Sequence, residues 1–166
     1  MKIPIFAKSI DKCHQILATK GLNLKEILTS PDETTFDNIL HSFVGIAAVQ
    51  IALTDILKTL ELEPDFIIGH SVGELGCAYA DGCFTAEEMM LSAYSRGMAS
   101  LETKVTFGSM AAVGLGYRKL RGMVPEGIEI ACHNSADSCT ISGPADNVAT
   151  FVEELKSKNI FAREVQ

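Results

Sequence analysis

A pentapeptide with glycine at both ends and serine at its centre, residues 69–73, constrains this chain more than any other feature. It follows the short apolar run 66–68 and precedes the small-residue segment 72–80, an order that predicts strand, tight turn and helix. In that context G-x-S-x-G is typical of a turn that strains the serine backbone and has glycines where side chains lack room. The pattern therefore predicts an α/β lobe with an exposed hydroxyl at Ser71.

The chemistry of such a turn is nucleophilic. The backbone N–H of Val72, at the beginning of the following helix, is free to donate to a developing oxyanion, and the helix dipole reinforces that donation. The alternative is a glycine-rich helix cap with an ordinary serine. The strand, motif and helix together favour Ser71 as nucleophile and Val72 as oxyanion donor.

The rest of the first hundred residues has helical periodicity. Apolar residues at positions 6, 10, 13 and 17 mark one face of a first helix, and a short helix is expected at 24–28. A longer helix is expected over 36–60, and its middle is apolar almost all round, which indicates burial on most sides. After the motif, Thr85 and Glu88 form a predicted capping box for a helix that ends near residue 101.

The pattern changes after residue 108. Strands and helices alternate in the order β-α-β-β-α-β, with strands at 110–115, 128–133, 138–142 and 160–165 and helices at 117–123 and from 143 to 159. That order is the ferredoxin-like split βαβ unit. We therefore expect an α/β lobe over residues 1–107 and a ferredoxin-like lobe over residues 108–166.

Composition excludes several classes of protein. The chain has 166 residues with 14 Lys and Arg against 21 Asp and Glu, a formal charge of −7 that argues against nucleic-acid binding. Its longest nearly apolar run, residues 44–53, is shorter than the roughly 20 residues that span a bilayer, and the N-terminus lacks a signal-peptide core. Five cysteines without a C-x-x-C pair predict neither a disulfide framework nor a zinc site. We expect a cytoplasmic protein without membrane, nucleic-acid or metal partners.

A second polar residue stands out downstream of the motif. Arg96 shares a predicted helix face with Met89, Ala93 and Ser100. A guanidinium group can bind a carboxylate with two parallel hydrogen bonds, so an arginine facing the serine would select an acyl group with a free carboxylate. The helical pattern alone favours the other interpretation, an arginine whose stem covers apolar surface while its head reaches water.

Further segments carry a family resemblance. Residues 67–74, 78–82, 94–97, 108–114, 131–135 and 141–144 resemble the malonyl/acetyl acyltransferase domain of animal fatty acid synthase. These blocks are shared with other acyl-carrier-protein transacylases and with polyketide synthase acyltransferases. Cys-His-Asn-Ser at 132–135 and Ala-Asp-Gly-Cys at 80–83 are more specific to the animal synthase. The resemblance implies an α/β-hydrolase-like lobe carrying a ferredoxin-like lobe.

The resemblance also implies a reaction. Ser71 would attack the thioester of malonyl-CoA or acetyl-CoA, CoA would leave, and the phosphopantetheine thiol of an acyl carrier domain would take the acyl group, with no bound cofactor. Arg96 falls on the arginine that pairs with the malonyl carboxylate, which reverses the interpretation from pattern alone. Positions facing CoA or the acyl chain correspond to Asn134, Asp137, Ser138 and Phe161. The expected partners are an acyl carrier domain and the other domains of a dimeric fatty acid synthase.

The chain departs from the family pattern at both ends. The family begins with a glycine- and glutamine-rich strand and loop that supplies a second oxyanion N–H, whereas this chain starts at a predicted helix. The family's general-base histidine follows the strand that corresponds to 160–165, and this sequence stops at Gln166. We therefore expect a fragment of an acyltransferase domain, without its N-terminal strand and inactive alone.

Three other functions remain open: a serine ester or thioester hydrolase, a polyketide synthase acyltransferase, and a non-catalytic ferredoxin-like interaction module. An α/β-hydrolase needs an acidic residue and then a histidine after its serine. The only histidine after Ser71 is His133, in a predicted strand of the small lobe. This order favours the transferase over the hydrolase.

Overall fold

A computed structural model describes residues 2–103 and 107–165 of the chain. The chain forms two compact units, Met1–Thr103 and Lys104–Gln166. The predicted boundary between residues 107 and 108 lies four residues further along the chain. That these units act as the two lobes of an enzyme remains a prediction.

All regular secondary structure among the described residues of unit 1 is helical. The helices are α1 (Pro4–Ala18), α2 (Leu24–Thr29), α3 (Ile39–Thr59), α4 (Gly73–Ala80) and α5 (Ala86–Glu102), with a 3₁₀ turn at Glu33–Asp37. The helix expected over 36–60 begins later, because Asn38 is extended and its side chain caps α3 by accepting from the N–H groups of Leu40 and His41. The predicted capping box of Thr85 and Glu88 is confirmed at the beginning of α5.

Helix α3 is central to unit 1 and packs against α1, α4 and α5. Its buried side is rich in small residues, which lets α5 come close: a Cβ on Gly97 would lie 2.8 Å from Cα of Leu40. The core of the unit is formed by α1, α3 and α5 residues, among them Ile10, Leu17, Val44, Ala48, Ile51, Met89 and Met90. Burial on most sides was expected for the middle of α3, but Ile46 and Leu53 are 43% and 50% exposed.

One helix of the described chain, α3, is long and apolar enough to cross a membrane by length and composition. The core helix of a globular protein passes the same test. Because seven of its residues are buried within unit 1, this is weak evidence for a membrane span.

The strand predicted at 66–68 is wrong for this chain. These residues follow α3 without regular secondary structure, and Phe66 and Ile68 are 93% and 97% exposed. A strand needs a neighbour that accepts and donates its backbone hydrogen bonds. No strand occurs among residues 2–103 to act as that neighbour, so the apolar run has nothing to pair with.

Over residues 107–165, unit 2 contains a four-stranded sheet and two helices. Its elements are β1 (Gly108–Val113), α6 (Tyr117–Leu120), β2 (Glu129–Ser135), β3 (Ser138–Pro144), α7 (Ala145–Ser157) and β4 (Ala162–Val165). The strand order is β2-β3-β1-β4 and every neighbouring pair is antiparallel. The predicted β-α-β-β-α-β order and ferredoxin-like topology are confirmed.

The core of unit 2 lies between the sheet and α7. The four apolar residues that predicted one face of this helix, Val148, Phe151, Val152 and Leu155, are all buried. The helix begins at Ala145 rather than at residue 143, because Gly143 and Pro144 still pair with Ser109 and Gly108 of β1. The extended Pro144 then serves as the N-cap residue.

Candidate active site

The turn before α4 has the geometry that the pentapeptide predicts. Ser71 has a φ of +54°, in the left-handed region, and its side chain is exposed. This conformation costs a residue other than glycine on the order of 1–3 kcal/mol, and it persists only where the surrounding structure enforces it. The strained, solvent-facing serine inferred from the sequence is thus present.

The two glycines of the pentapeptide have different reasons to be there. A Cβ on Gly69 would lie 2.6 Å from Sγ of Cys77 and equally close to the backbone carbonyl of Gly73, so only glycine fits. A Cβ on Gly73 would meet nothing nearer than Nε2 of Gln50 at 3.7 Å, an ordinary contact. The prediction that both positions lack room for a side chain is right for Gly69 and wrong for Gly73.

Hydrogen bonds close the turn onto α4. The N–H of Gly73 donates to the carbonyl of His70 at 2.9 Å, and the N–H of Glu74 donates to the carbonyl of Ser71 at 3.1 Å. The N–H of Val72 donates to no protein acceptor within residues 2–103 and 107–165. It lies at the N-cap of α4, where the helix dipole favours negative charge, and so it can receive an oxyanion.

The described residues supply no general base in contact with the serine. The hydroxyl of Ser71 has no hydrogen-bond partner among them, and His70 is exposed beside it. Nδ1 of His41 is instead 3.1 Å from the carbonyl of Thr35. A serine hydroxyl is a weak nucleophile until a base removes its proton. This part of the chain therefore presents an exposed serine hydroxyl beside a backbone N–H that has no protein acceptor among the described residues.

Arg96 lies on α5 with its side chain exposed. Its guanidinium carbon is 5.6 Å from the ring centroid of Phe43 on α3, a cation–π distance. No carboxylate of the described chain forms an ion pair with it. The group is thus supported by an aromatic face while its donors stay available to a ligand, so the geometry is compatible with both interpretations of this arginine.

Three of the four predicted CoA-facing residues lie on the β2–β3 hairpin of unit 2. Asn134 donates from Nδ2 to Oγ1 of Thr140 at 2.9 Å, and Ser138 pairs with Ser135 across the hairpin. Asp137 accepts from the Ser135 hydroxyl at 2.6 Å. These contacts fix the hairpin tip and leave Asn134 and Asp137 exposed.

The fourth, Phe161, lies apart from them, just before β4. It is 62% exposed, and its carbonyl accepts from the N–H of Gly114 at 2.8 Å. Of the four, only Asp137 lines a cleft of about 460 Å³ whose wall includes Tyr117 and His133, stacked with centroids 5.8 Å apart. Sequence reasoning missed this pair, because nothing in the local pattern relates two rings from a helix and a distant strand.

No group of three potential metal ligands occurs in the part of the chain that the structure describes. All five cysteines are free thiols, and Cys13 and Cys139 are buried. Burial, reinforced by the negative charge of Asp55, raises the pKa of Cys13 to about 12. That thiol is therefore protonated at neutral pH and is not a nucleophile.

The profile of the acyl transferase domain family matches residues 1–166. The chain belongs to that family. A highly reducing polyketide synthase of Fusarium sp is 37% identical over 134 residues, which is 81% of this chain and 5% of that protein. A highly reducing polyketide synthase of Aureobasidium melanogenum is 37% identical over 175 residues, 98% of this chain and 8% of that protein.

Solved acyltransferase structures have the same fold. The acyltransferase domain of module 8 of the salinomycin polyketide synthase superposes with a TM-score of 0.90 at 22% identity, over 98% of this chain and 40% of that one. The acyltransferase domain of PpsC from Mycobacterium tuberculosis gives 0.86 at 25% identity, over 98% and 50%. The malonyl-CoA transacylase of Coxiella burnetii gives 0.85 at 21% identity, over 99% and 54%.

These likenesses confirm the predicted fold class, an α/β acyltransferase fold, and acyl transfer as the family's activity. They do not single out the animal fatty acid synthase, because the named relatives are polyketide synthases. The chain spans less than a tenth of those relatives and about half or less of the solved acyltransferase chains.

Proposed function

We propose that this chain provides the nucleophile for transfer of a malonyl or acetyl group from CoA to an acyl carrier protein. The observation that carries the proposal is the exposed, left-handed Ser71 in front of α4, in a chain of the acyl transferase family. The Ser71 hydroxyl attacks the thioester carbonyl, its proton is transferred in the course of the step to the leaving CoA sulfur, and the N–H of Val72 stabilises the oxyanion that forms. Collapse of this intermediate breaks the C–S bond and releases CoA as its thiol.

The second half of the reaction reverses the first on a new thiol. The phosphopantetheine thiol of the carrier attacks the acyl-serine ester, the same N–H stabilises the second oxyanion, and the serine hydroxyl is regenerated. The enzyme therefore needs no cofactor of its own beyond these two thiol carriers. The partners in this proposal are an acyl carrier domain and the other domains of a multidomain synthase.

Arg96 is proposed to bind the free carboxylate of a malonyl group. The support is its exposed guanidinium, which has no acidic partner among the described residues and rests on the ring of Phe43. We further propose that CoA or the acyl chain contacts Asn134, Asp137, Ser138 and Phe161. The support is that Asn134, Asp137 and Phe161 are exposed polar or aromatic side chains and that Ser138 is half-buried.

The type of synthase is the finer part of the proposal. A fatty acid synthase is supported by the Cys-His-Asn-Ser block at 132–135 and the Ala-Asp-Gly-Cys block at 80–83. A polyketide synthase is supported by the two named relatives, each 37% identical to this chain over the aligned residues. The product of the full-length protein separates them: a fully saturated straight-chain acid indicates the first, and a chain that retains keto, hydroxyl or methyl groups indicates the second.

Labelled malonyl-CoA tests the nucleophile. The full-length protein that contains this chain is incubated with it in the absence of carrier, and the adduct is mapped by peptide sequencing. We expect label on Ser71 and a Ser71→Ala variant that folds but does not transfer, because an exposed hydroxyl adds little stability. Label on another residue refutes the assignment, and release of free malonate at the same rate with and without carrier indicates a hydrolase.

Arg96→Ala tests the specificity assignment. Loss of a charge-assisted bidentate pair removes about 2 to 5 kcal/mol of binding from the charged substrate only, so malonyl transfer should fall far more than acetyl transfer. Equal losses for the two acyl groups would return Arg96 to a surface role.

A further inference from the structure

One carboxylate ties three helices of unit 1 together. Asp55 on α3 accepts from the hydroxyl of Ser9 on α1, with Oγ 2.5 Å from Oδ2. Its other oxygen, Oδ1, accepts from the hydroxyl of Tyr79 on α4 at 2.6 Å. Hydrogen bonds to a charged acceptor are short and about twice as strong as neutral ones. None of these three groups has a role in the proposed reaction of Ser71 or in the proposed substrate binding.

Apart from its hydrogen bond to α3, helix α4 is held by Leu75 and Tyr79, which are partly buried and pack against the core of unit 1. It is eight residues long and contains no fully buried residue. A helix this short is not stable by itself and depends on its packing. Gly73 and Gly76 of α4 both lie near Gln50 of α3, and a Cβ on Gly76 would lie 2.7 Å from Oε1 of Gln50. These glycines allow the two helices to approach closely, and the Tyr79 hydrogen bond adds a directional contact near the C-terminal end of α4.

A second contact strengthens the attachment at the same end of the helix. Nζ of Lys58 lies 4.9 Å from the ring centroid of Tyr79 and 3.5 Å from its carbonyl oxygen. Burial and the hydrogen bond to Asp55 raise the pKa of the Tyr79 hydroxyl above its usual value. The hydroxyl therefore stays protonated, and remains a donor, at neutral pH.

We infer that Asp55 and Tyr79 are positioning residues for Ser71, and this inference rests on the proposed function of that serine. Ser71 lies two residues before α4, which begins at Gly73, and Tyr79 is near the other end of this helix, about 9 Å from Gly73 at 1.5 Å per residue. A helix moves as a rigid rod over this length. Fixing its far end fixes both the left-handed backbone of Ser71 and the direction of the Val72 N–H.

The expected kinetic signature follows from that geometry. A displacement near 1 Å of a reacting group costs about a hundredfold in rate. Neither Asp55 nor Tyr79 touches substrate in this proposal. Loosening the helix should therefore lower the rate of Ser71 acylation and leave the KM for acyl-CoA unchanged.

Tyr79→Phe in the full-length protein tests the inference, because it removes one hydroxyl and keeps the ring. Acylation is followed in a rapid-quench experiment and normalised to the burst of acylated Ser71, so that any unfolded fraction does not count. We expect a loss of about ten- to a hundredfold in kcat at constant KM. The matched control is Tyr94→Phe, since the Tyr94 hydroxyl makes no hydrogen bond within the described residues, and it should retain the wild-type rate.

A double-mutant cycle with Asp55→Asn makes the test specific to the pair. If the two residues act through one hydrogen bond, Asp55→Asn should cost little further rate in the Tyr79→Phe background. Wild-type kcat in Tyr79→Phe, or full additivity of the two losses, overturns the inference. Failure of the proposed function has a different signature, which is transfer that survives Ser71→Ala.

Discussion

The two units differ in whether an apolar segment finds a hydrogen-bonded neighbour. In unit 2, β1 has a hydrogen-bonded neighbour on each side, β3 and β4, and α7 covers the core side of the sheet. In unit 1 the apolar run 66–68 has no partner strand among the described residues and leaves Phe66 and Ile68 in solvent. An apolar segment before a turn becomes a strand only where a neighbouring segment forms hydrogen bonds with its backbone N–H and C=O groups.

The difference also concerns the proposed nucleophile. Unit 2 has apolar strand and helix faces that pack on each other, whereas Ser71 of unit 1 lies three residues after the unpaired segment. The strained turn is maintained from its helix side, by Gly69 against Cys77 and by the hydrogen bonds into α4.

Amide hydrogen exchange on the 166-residue chain should show the largest contrast. The N–H groups of β1 and β3 are locked in ladders, so we expect them to exchange at least about a thousandfold more slowly than their intrinsic rates. The amides of residues 66–68 should exchange near their intrinsic rates. Protection of 66–68 comparable to that of β1 would mean that the segment finds a partner in solution, and the comparison would fail.

Two phenylalanines offer a matched test of packing. Phe151 is 2% exposed in the core of unit 2, and Phe66 is 93% exposed in unit 1. Phe151→Ala should lower the free energy of unfolding by about 3–5 kcal/mol because it leaves a cavity. Phe66→Ala should change it by no more than about 0.5 kcal/mol. Denaturant titration of both variants measures this, and a large cost for Phe66→Ala would contradict the exposed placement.

The two glycines of the pentapeptide sharpen the argument about the turn. Gly69→Ala forces a methyl group against Cys77 and the Gly73 backbone and should cost about 1–3 kcal/mol, in the range of overpacked cores. Gly73→Ala has space and a better helix former, so stability should be equal or slightly higher. Thermal unfolding monitored by circular dichroism compares the pair. Equal destabilisation would show that both positions are sterically closed.

The smallest expected effect is a pH dependence at the beginning of α5. Hydrogen bonds from the backbone and side chain of Thr85 lower the pKa of Glu88 from 4.5. A depressed folded-state pKa stabilises the protein above the unfolded value, and that contribution is lost as the pH falls through the folded value. The stability difference between wild type and Glu88→Gln should therefore shrink between pH 7 and pH 3. A difference that is constant over this range would show that the carboxylate charge is irrelevant.

The features that sequence predicted well are those determined by neighbours in the chain. The Thr85 and Glu88 box depends on residues three apart, the buried face of α7 on a helical repeat, and the Ser71 strain on one turn. Each can be inferred from a window of a few residues.

The features that sequence could not supply depend on distant residues. The unpaired run 66–68 reads as a strand because apolar periodicity does not say whether a partner strand exists. Asp55 meets Ser9 and Tyr79 across 46 and 24 residues, and Tyr117 meets His133 across a helix and a strand. No local pattern marks such contacts, and for Arg96 the helical pattern alone favoured a surface role that the geometry leaves open.

The exposed run between α3 and α4 has a consequence for how this chain behaves at high concentration. Segments that assemble into fibrils need about six residues of high β-propensity without proline or charge. Here the apolar run is three residues long, with Pro64 and Asp65 before it and Gly69 after it. These flanking residues act as gatekeepers against stacking of identical strands. Self-association through this surface should therefore be reversible and amorphous, dissolving on dilution rather than seeding further growth.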